Sequence, residues 1–256
     1  MLKLIRAVYI WTLFFLLTFV HFTWSFCAHL RQHFAGRDDR GRAVHRVAVR
    51  WARSVFFVAP WWKITVTGGE NLPGDGVAYV IVGNHQSNAD VLAMYYLGVQ
   101  FRWLSKASVF RLPMIGPAMR WAGYVPVKRG DRSSHSQALA KSAEILKNGI
   151  SMFFFPEGTR SRDGMVAPFK VGAFKLAVET GVPILPVTIC GAGELLPKGS
   201  LIPNNGQVRI HVHPPTALAP NESLEGCALR IRELIVKTLM QTSPHPEESY
   251  STTALS

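Results

Sequence analysis

Cysteine is scarce in this chain of 256 residues. The three that occur, Cys27, Cys190 and Cys227, are odd in number and far apart, so they offer neither a disulfide framework nor the close spacing of a metal site. The sequence therefore predicts a reducing compartment. It also lacks a Gly-x-Ser-x-Gly pattern, which disfavours a serine nucleophile. Apart from His85 and Asp90, the sequence has no cluster of His and Asp at metal-ligand spacing, which disfavours a metal hydrolase.

Acidic residues are outnumbered, 16 against 28 Lys and Arg, which gives a net charge of +12. An excess of this size predicts an anionic partner: nucleic acid, anionic lipid or a phosphorylated substrate. The excess is concentrated in residues 29–53, where Asp38 and Asp39 face seven arginines: Arg31, Arg37, Arg40, Arg42, Arg46, Arg50 and Arg53. No nucleic-acid-binding motif occurs, and a lipid-facing region explains the charge, so we expect no nucleic-acid partner.

Lys, Arg, Asp and Glu are absent from residues 7–28. This apolar segment is long enough to cross the ~30 Å core of a bilayer as a helix, and it is too long for a signal peptide. We therefore expect membrane attachment, either as a span or as a segment that re-enters one leaflet. Lys3 and Arg6 precede the segment and far more positive charge follows it, which predicts that the following domain is cytoplasmic.

The pattern of residues 42–59 predicts a basic amphipathic helix. One side carries Val44, Val47, Ala48, Trp51, Val55 and Val58, and the opposite side carries Arg42, Arg46, Arg50 and Arg53. Such a helix is suited to the headgroup region of anionic lipid. The alternative is a helix that packs on the soluble domain and leaves its arginines in water. We favour the membrane because an apolar segment precedes it.

From about residue 64 the pattern alternates between strands and helices. Strands are predicted at 64–68, 77–82, 101–105, 124–127, 150–155, 184–190 and 208–213, and helices at 89–98, 134–149, 171–181 and 224–241. The predicted fold class is α/β, with a mainly parallel central sheet flanked by helices and an N-terminal membrane anchor of one hydrophobic and one amphipathic helix. The predicted domains are anchor helices at 1–59, an α/β domain at 60–241 and a disordered tail at 242–256.

Three segments lie on or just after predicted strands: residues 83–90 (GNHQSNAD), 123–129 (GYVPVKR) and 155–161 (FPEGTRS). In open α/β sheets, ligands bind in the crevice beyond the carboxyl ends of the strands. The topology therefore predicts a functional crevice built from these loops.

His85 and Asp90 are five residues apart, a spacing that brings two side chains together on neither a helix nor a strand. They can meet if His85 lies in a loop and Asp90 in the first turn of a helix. A carboxylate that holds one imidazole nitrogen makes the other nitrogen a base able to deprotonate a hydroxyl. The alternative is a plain loop histidine beside a helix-capping aspartate.

The FPEGTRS loop has the chemistry of a phosphate site. Gly158 lets the main chain approach a ligand, Arg160 can donate two hydrogen bonds to phosphate oxygens, and Thr159 adds a donor. The alternative is a turn in which Glu157 and Arg160 pair.

Further cations stand near the ends of other predicted strands. Lys128 and Arg129 are either a second phosphate site or a solvated strand end. Lys106 either reaches the same crevice or is a surface lysine. The run VPILPV at 182–187 is expected to have a structural role.

The runs NHQSNAD, GYVPVKR, FPEGTRS and VPILPV, in this order, resemble the four blocks of the glycerolipid acyltransferase family, and most closely its members that acylate 1-acyl-sn-glycerol-3-phosphate. The resemblance covers about residues 60–215. It implies that His85 is the general base and Asp90 its orienting partner. It implies a substrate site formed by Glu157, Gly158, Thr159, Arg160, Arg129 and Lys106. Pro126 departs from the family pattern, which has an aliphatic or aromatic residue there.

The resemblance also implies an activity and its partners. An acyl chain would pass directly from acyl-CoA or acyl-ACP (acyl carrier protein) to the sn-2 hydroxyl, without an acyl-enzyme, a metal or another cofactor. Membrane lipids, including anionic phospholipid, would be partners, with the catalytic domain on the cytoplasmic side, at the inner membrane of a bacterium. Two alternatives stay open: acyl transfer to glycerol-3-phosphate or a lyso-ornithine lipid, and a membrane-bound lipid carrier without catalysis.

Overall fold

The computed structural model describes residues 2–36, 39–74, 76–161 and 164–242. Its centre is a seven-stranded sheet. The strands are β1 (Trp62–Thr67), β2 (Val80–Gly83), β3 (Phe101–Lys106), β4 (Val125–Val127), β5 (Ser151–Phe154), β6 (Ile184–Cys190) and β7 (Gly206–Val212). Their spatial order is β1-β7-β6-β2-β5-β3-β4. The predicted strands are thus confirmed, although β2 begins three residues later than the apolar run that predicted it.

Five neighbouring strands, from β6 to β4, are parallel, whereas β7 is antiparallel to β6 and parallel to β1. The predicted mainly parallel α/β fold is therefore confirmed. After β2 the chain crosses β5 to form β3, and after β5 it crosses β2 in the opposite direction to form β6. Because β2 and β5 are neighbours, their carboxyl ends meet at the place where the connections diverge, which is where α/β sheets bind ligands.

Eight α-helices accompany the sheet in the described residues: α1 (Leu2–Phe34), α2 (Arg42–Phe57), α3 (Asn88–Met94), α4 (Ile115–Trp121), α5 (Arg132–Lys147), α6 (Gly172–Thr180), α7 (Ala192–Leu195) and α8 (Leu224–Thr242). One face of the sheet packs against α1 to α4 and α7, and the other against α5, α6 and α8. Side chains alternate between the two cores: Phe153 of β5 lies in the first, and Met152 and Phe154 lie in the second. A strand buried on both faces explains why β5 reads as a continuous apolar run.

The prediction for the apolar face of the amphipathic helix was wrong. The helix forms as predicted, but Val44, Val55 and Phe56 of α2 are at most 4% exposed and pack in the first core. Trp51 donates from Nε1 to Thr18 Oγ1 of α1. The sheet domain and α1 cover this face, so it is not free to enter lipid, whereas Arg46 lies exposed on the opposite side. The alternative, packing on the soluble domain, is what the structure shows.

The remaining differences concern helix ends and short helices. Helix α5 begins at Arg132 rather than Ser134, because the Asp131 side chain accepts from Ser134 N and caps the helix. The short helices α4 and α7 were not predicted. Thr242 still belongs to α8, and the rest of the predicted disordered tail, 243–256, lies outside the described residues.

Candidate active site

The loop after β2 is fixed by the asparagine that begins it. Asn84 is fully buried, and its side chain donates from Nδ2 to Ile189 O (2.8 Å) and accepts at Oδ1 from Ile189 N (2.8 Å). The amide thus extends the pairing of β2 with β6 by one step through a side chain. His85 therefore leaves the sheet at a defined point.

His85 and Asp90 are in contact, as their spacing predicted. The Nδ1–H of His85 donates to Oδ2 of Asp90 at 2.8 Å. The same oxygen accepts from the main-chain N–H of Gln86 and of Ser87, each at 2.7 Å, and Asp90 is the third residue of α3, capped by Ser87. The contact required by the first interpretation and the helix cap of the second therefore both occur, because one carboxylate starts the helix and holds the imidazole.

The imidazole is the accessible member of the pair. Asp90 is fully buried, and the His85 side chain keeps 14% of its surface exposed. Nε2 of His85 has no hydrogen-bond partner among the described residues. The other carboxylate oxygen of Asp90, Oδ1, is buried and has no hydrogen-bond partner among the residues that the structure describes. An imidazole held at Nδ1 and free at Nε2 has the arrangement of a general base.

An aromatic stack holds the plane of the His85 ring. Phe155, the residue after β5, lies parallel to it, with ring centroids 3.9 Å apart and an interplanar angle of 9°. Trp103 of β3 stacks in turn on Phe155 at 5.5 Å. Sequence reasoning took Phe155 for a strand residue, and nothing in the pattern indicates its contact with a residue 70 positions earlier.

Glu157 supports the main chain rather than pairing with Arg160. Its Oε1 accepts from His85 N (2.7 Å), and its Oε2 accepts from Ala167 N (3.0 Å). Only 5% of Glu157 is exposed, and burial raises the pKa of its carboxyl to about 7, against the lowering effect of the two amide hydrogen bonds. The alternative of a Glu157–Arg160 pair is therefore not what the structure shows.

The rest of the FPEGTRS loop turns tightly past His85. Ser161 N donates to His85 O at 2.8 Å, so the loop holds both main-chain groups of His85. Gly158 has φ +74°, a left-handed backbone conformation that favours glycine, and Lys170 Nζ lies close beside it. Thr159 is exposed and Arg160 half-buried. Lys198 Nζ donates to Arg160 O at 2.5 Å, which brings a second cation to this loop.

The other predicted cations stand further along the same edge. Lys106 ends β3, and Lys128 and Arg129 follow β4, which forms the border of the sheet two positions beyond β5. All three are exposed. Among the described residues none of the three side chains is hydrogen-bonded to His85 or to the FPEGTRS loop. The geometry thus unites His85, Asp90 and Glu157 and leaves these cations at the rim.

No group of His, Cys, Asp and Glu that could hold a metal ion is found in residues 2–36, 39–74, 76–161 and 164–242. The candidate site consists of a histidine, its carboxylate and a cation-bearing loop.

Comparisons with known proteins agree on one family. A sequence model described as "Acyltransferase" matches residues 63–190. A chloroplastic 1-acyl-sn-glycerol-3-phosphate acyltransferase of Brassica napus is 44% identical over 172 residues, which are 67% of this chain and 49% of that protein. An enzyme of the same name from Borreliella burgdorferi is 36% identical over 180 residues, 69% of this chain and 72% of that one. The chain thus spans about half the length of the plant relatives.

Among solved structures, the 1-acyl-sn-glycerophosphate acyltransferase of Thermotoga maritima superposes with a TM-score of 0.78. The match covers 94% of this chain and 99% of that one at 28% sequence identity. This structural match therefore includes α1 and α2 as well as the sheet, whereas the family match begins at residue 63, after both helices.

Proposed function

The chain belongs to the acyltransferase family, and from this premise we propose that it is an O-acyltransferase acting on a lysophosphatidate. It would transfer an acyl chain from a thioester to the sn-2 hydroxyl of 1-acyl-glycerol-3-phosphate and so form phosphatidic acid in phospholipid biosynthesis. The observation that carries the proposal is the His85 imidazole, bound by Asp90 at Nδ1 and open at Nε2, beside a loop that holds Arg160. The names of the relatives support the choice of acceptor.

In the proposed mechanism, Nε2 of His85 takes the proton of the acceptor hydroxyl as that oxygen attacks the thioester carbonyl. A C–O bond forms and the C–S bond breaks. The imidazolium is stabilised by the Asp90 carboxylate and returns the proton to the leaving thiolate of acyl-CoA or acyl-ACP. The stack on Phe155 and the main-chain bonds of His85 keep the base in place, so little reorganisation is needed during transfer.

For the phosphate of the acceptor, we propose the loop from Gly158 to Arg160, with Arg129 and Lys106 as further cations at the rim. A guanidinium can donate two parallel hydrogen bonds to phosphate oxygens. Glu157 belongs to the same predicted set, but both of its carboxylate oxygens hold main-chain amides. Its contribution would be to shape the loop rather than to contact a phosphate of like charge.

We propose that the protein is attached to a membrane through α1. This helix is long and apolar enough to cross a bilayer, with a mean hydropathy of 1.8 in its most apolar window. However, the domain contacts it near both ends: Arg6 donates to Asn205 Oδ1 (2.9 Å), and His29 stacks on Trp121 (5.0 Å between centroids). A helix covered on one side along this length would offer lipid only its other side, which favours insertion into one leaflet over a free span.

The outer side of α1 is suited to lipid. It exposes Phe15 and Phe19 (59% each) and Trp24 (50%). The exposed arginines of α2 would bind anionic headgroups beside it, on the cytoplasmic side of the membrane. This arrangement explains how a sheet domain can act on an acceptor and a product that stay in the bilayer.

A panel of acceptors tests the function. Purified protein is supplied with acyl-CoA or acyl-ACP and with 1-acyl-glycerol-3-phosphate, glycerol-3-phosphate or a lyso-ornithine lipid, and thioester consumption is measured. We expect turnover with the lysophosphatidate. Turnover with only glycerol-3-phosphate or only the phosphate-free lipid would show that the proposed acceptor is wrong. No turnover with any pair of substrates would favour a non-catalytic carrier.

A further inference from the structure

Arg232 of α8 reaches the active-site loop from outside the segment, residues 63–190, that matches the family. Its guanidinium donates twice to Val166 O, from Nε at 3.0 Å and from Nη2 at 2.6 Å. The side chain is half-buried between α8 and the loop that follows FPEGTRS. Two charge-assisted bonds to one carbonyl fix that carbonyl firmly.

The carbonyl of Val166 and the N–H of Ala167 belong to the same peptide group. That N–H donates to Oε2 of Glu157 at 3.0 Å, and Oε1 of Glu157 accepts from His85 N at 2.7 Å. A continuous series of hydrogen bonds therefore runs from Arg232 through one peptide and one carboxylate to the main chain of His85. Bonds in such a series polarise and strengthen one another in a low-dielectric interior.

We propose that Arg232 is a positioning residue for His85, acting through the Val166–Ala167 peptide and Glu157. This inference rests on the proposed function, because it assigns to the C-terminal helix a part in holding the catalytic base. Arg232 contacts no reacting atom in this scheme. Its effect is to keep the Glu157 carboxylate ionised and aligned, so that the main chain of His85 cannot shift.

The electrostatics of Glu157 agree with this role. Burial raises the pKa of its carboxyl to about 7, and Asp90 of α3 raises it as well, whereas Arg232 lowers it. The main chain of His85 also donates to Glu157, and Lys170 Nζ stands beside the next residue, Gly158. Ionised Glu157 accepts from both amides, but protonation would leave one amide without an acceptor. Loss of Arg232 should therefore weaken the support of His85 at pH values where Glu157 is otherwise ionised.

The test compares Arg232→Gln and Arg232→Lys with Arg230→Gln. Arg230 is a matched control on the same helix, because it also binds a main-chain carbonyl, that of Ala217, and pairs with Glu222 away from the site. With acyl-CoA and lysophosphatidate, we expect Arg232→Gln to lower kcat roughly 10- to 100-fold, with both KM values within about twofold of wild type. Arg232→Lys should recover part of the rate, and Arg230→Gln should match wild type.

Two further readouts separate positioning from a general loss of structure. The fall of kcat/KM on the acid side should move to higher pH in Arg232→Gln but not in Arg230→Gln. In a Glu157→Gln background, Arg232→Gln should change kcat by less than about twofold, because both residues act in one series. Equal losses in Arg232→Gln and Arg230→Gln, or a full additional loss in the Glu157→Gln background, would overturn the proposal.

A titration distinguishes failure of this proposal from failure of the function. Because the folded pKa of Glu157 is raised, its stabilisation is complete below pH about 4.5 and is lost as pH rises through about 7. In Arg232→Gln this loss should extend to higher pH, measured as the free energy of unfolding against pH, whether or not any acceptor is acylated. An unchanged profile would refute the proposal; inactive wild type with a shifted profile would refute only the function. If Arg232→Gln does not fold, Arg232→Met, which also removes the charge, is judged by the same criteria.

Discussion

The loops at the carboxyl edge of the sheet and the N-terminal helices α1 and α2 are held by different forces. At the edge, His85, Asp90 and Glu157 make specific hydrogen bonds of 2.7 to 3.0 Å to named main-chain and side-chain groups. In the helical layer, aromatic and aliphatic contacts dominate, and one side of α1 is left apolar and exposed. We therefore expect substitutions in the two regions to separate: the first should change the rate of acyl transfer, and the second should change membrane binding and stability.

The largest separable effect is expected at Asp90. Asp90→Asn keeps an oxygen that can accept from the start of α3, but it removes the charge that holds the His85 tautomer, so kcat should fall about 10²- to 10⁴-fold. The control is Asp131→Asn, since Asp131 is the N-cap of α5, where its side chain accepts from Ser134 N, and it holds no histidine side chain. Steady-state kinetics and thermal unfolding of both variants check this. Equal losses of kcat in Asp90→Asn and Asp131→Asn would mean that Asp90 acts only by starting its helix and not by holding His85.

Substitutions on the outer side of α1 should weaken membrane binding and leave the rate of acyl transfer unchanged. Phe15→Glu with Phe19→Glu should weaken binding to vesicles about 10²-fold, because two half-exposed aromatic rings would no longer enter lipid. Transfer to a short-chain, soluble acceptor should persist, and so should the melting temperature. Ile10→Ala, on the buried side of the same helix, should instead cost about 2 kcal/mol or more of stability and leave vesicle binding intact. Unchanged sedimentation of the Phe15/Phe19 variant with vesicles would contradict the anchor.

Arg160 should affect acceptor binding more than folding. Arg160→Ala is expected to raise the KM for the acceptor roughly 10-fold or more, and Arg160→Lys should recover only part, because lysine cannot form two parallel bonds. Kinetics with varied acceptor at a fixed concentration of donor measure this. Kinetics of Arg160→Ala equal to those of wild type would remove the phosphate role.

The exposed arginines of α2 should have a smaller effect on vesicle binding than the aromatic pair of α1. Arg46→Gln with Arg50→Gln should weaken binding to anionic vesicles by about 1 kcal/mol per residue and leave binding to neutral vesicles unchanged. The charge-matched control is Lys141→Gln with Lys147→Gln, on the exposed side of α5. If both pairs weakened vesicle binding equally, the effect would be due to the net charge of the protein and not to the position of the α2 arginines.

Much of the edge region was predictable, because its signals are local. The apolar run before Gly83 predicts a buried strand, and the spacing of His85 and Asp90 allows contact only across a loop and a first helical turn. Gly158 was expected to let the main chain approach a ligand, and the structure gives it a positive φ. The order of the loops then places them at one edge without knowledge of any long-range contact.

What could not be predicted depends on partners distant in sequence. An apolar helix face indicates that something covers it, but not whether lipid or protein does. For this reason the partner of the apolar face of α2 was predicted wrongly. The partners of Glu157 are main-chain amides, which every residue except proline possesses, so no pattern distinguishes them. Phe155 and Arg232 act through contacts over 70 and 66 positions, for which the sequence carries no period.

The most direct test of the catalytic base is thioester consumption by purified His85→Ala with lysophosphatidate. The control is His135→Ala, which alters an exposed histidine on α5. We predict that His85→Ala loses about 10²-fold or more of the rate while it still folds and binds vesicles, and that His135→Ala keeps the rate. Wild-type consumption by His85→Ala would contradict the account.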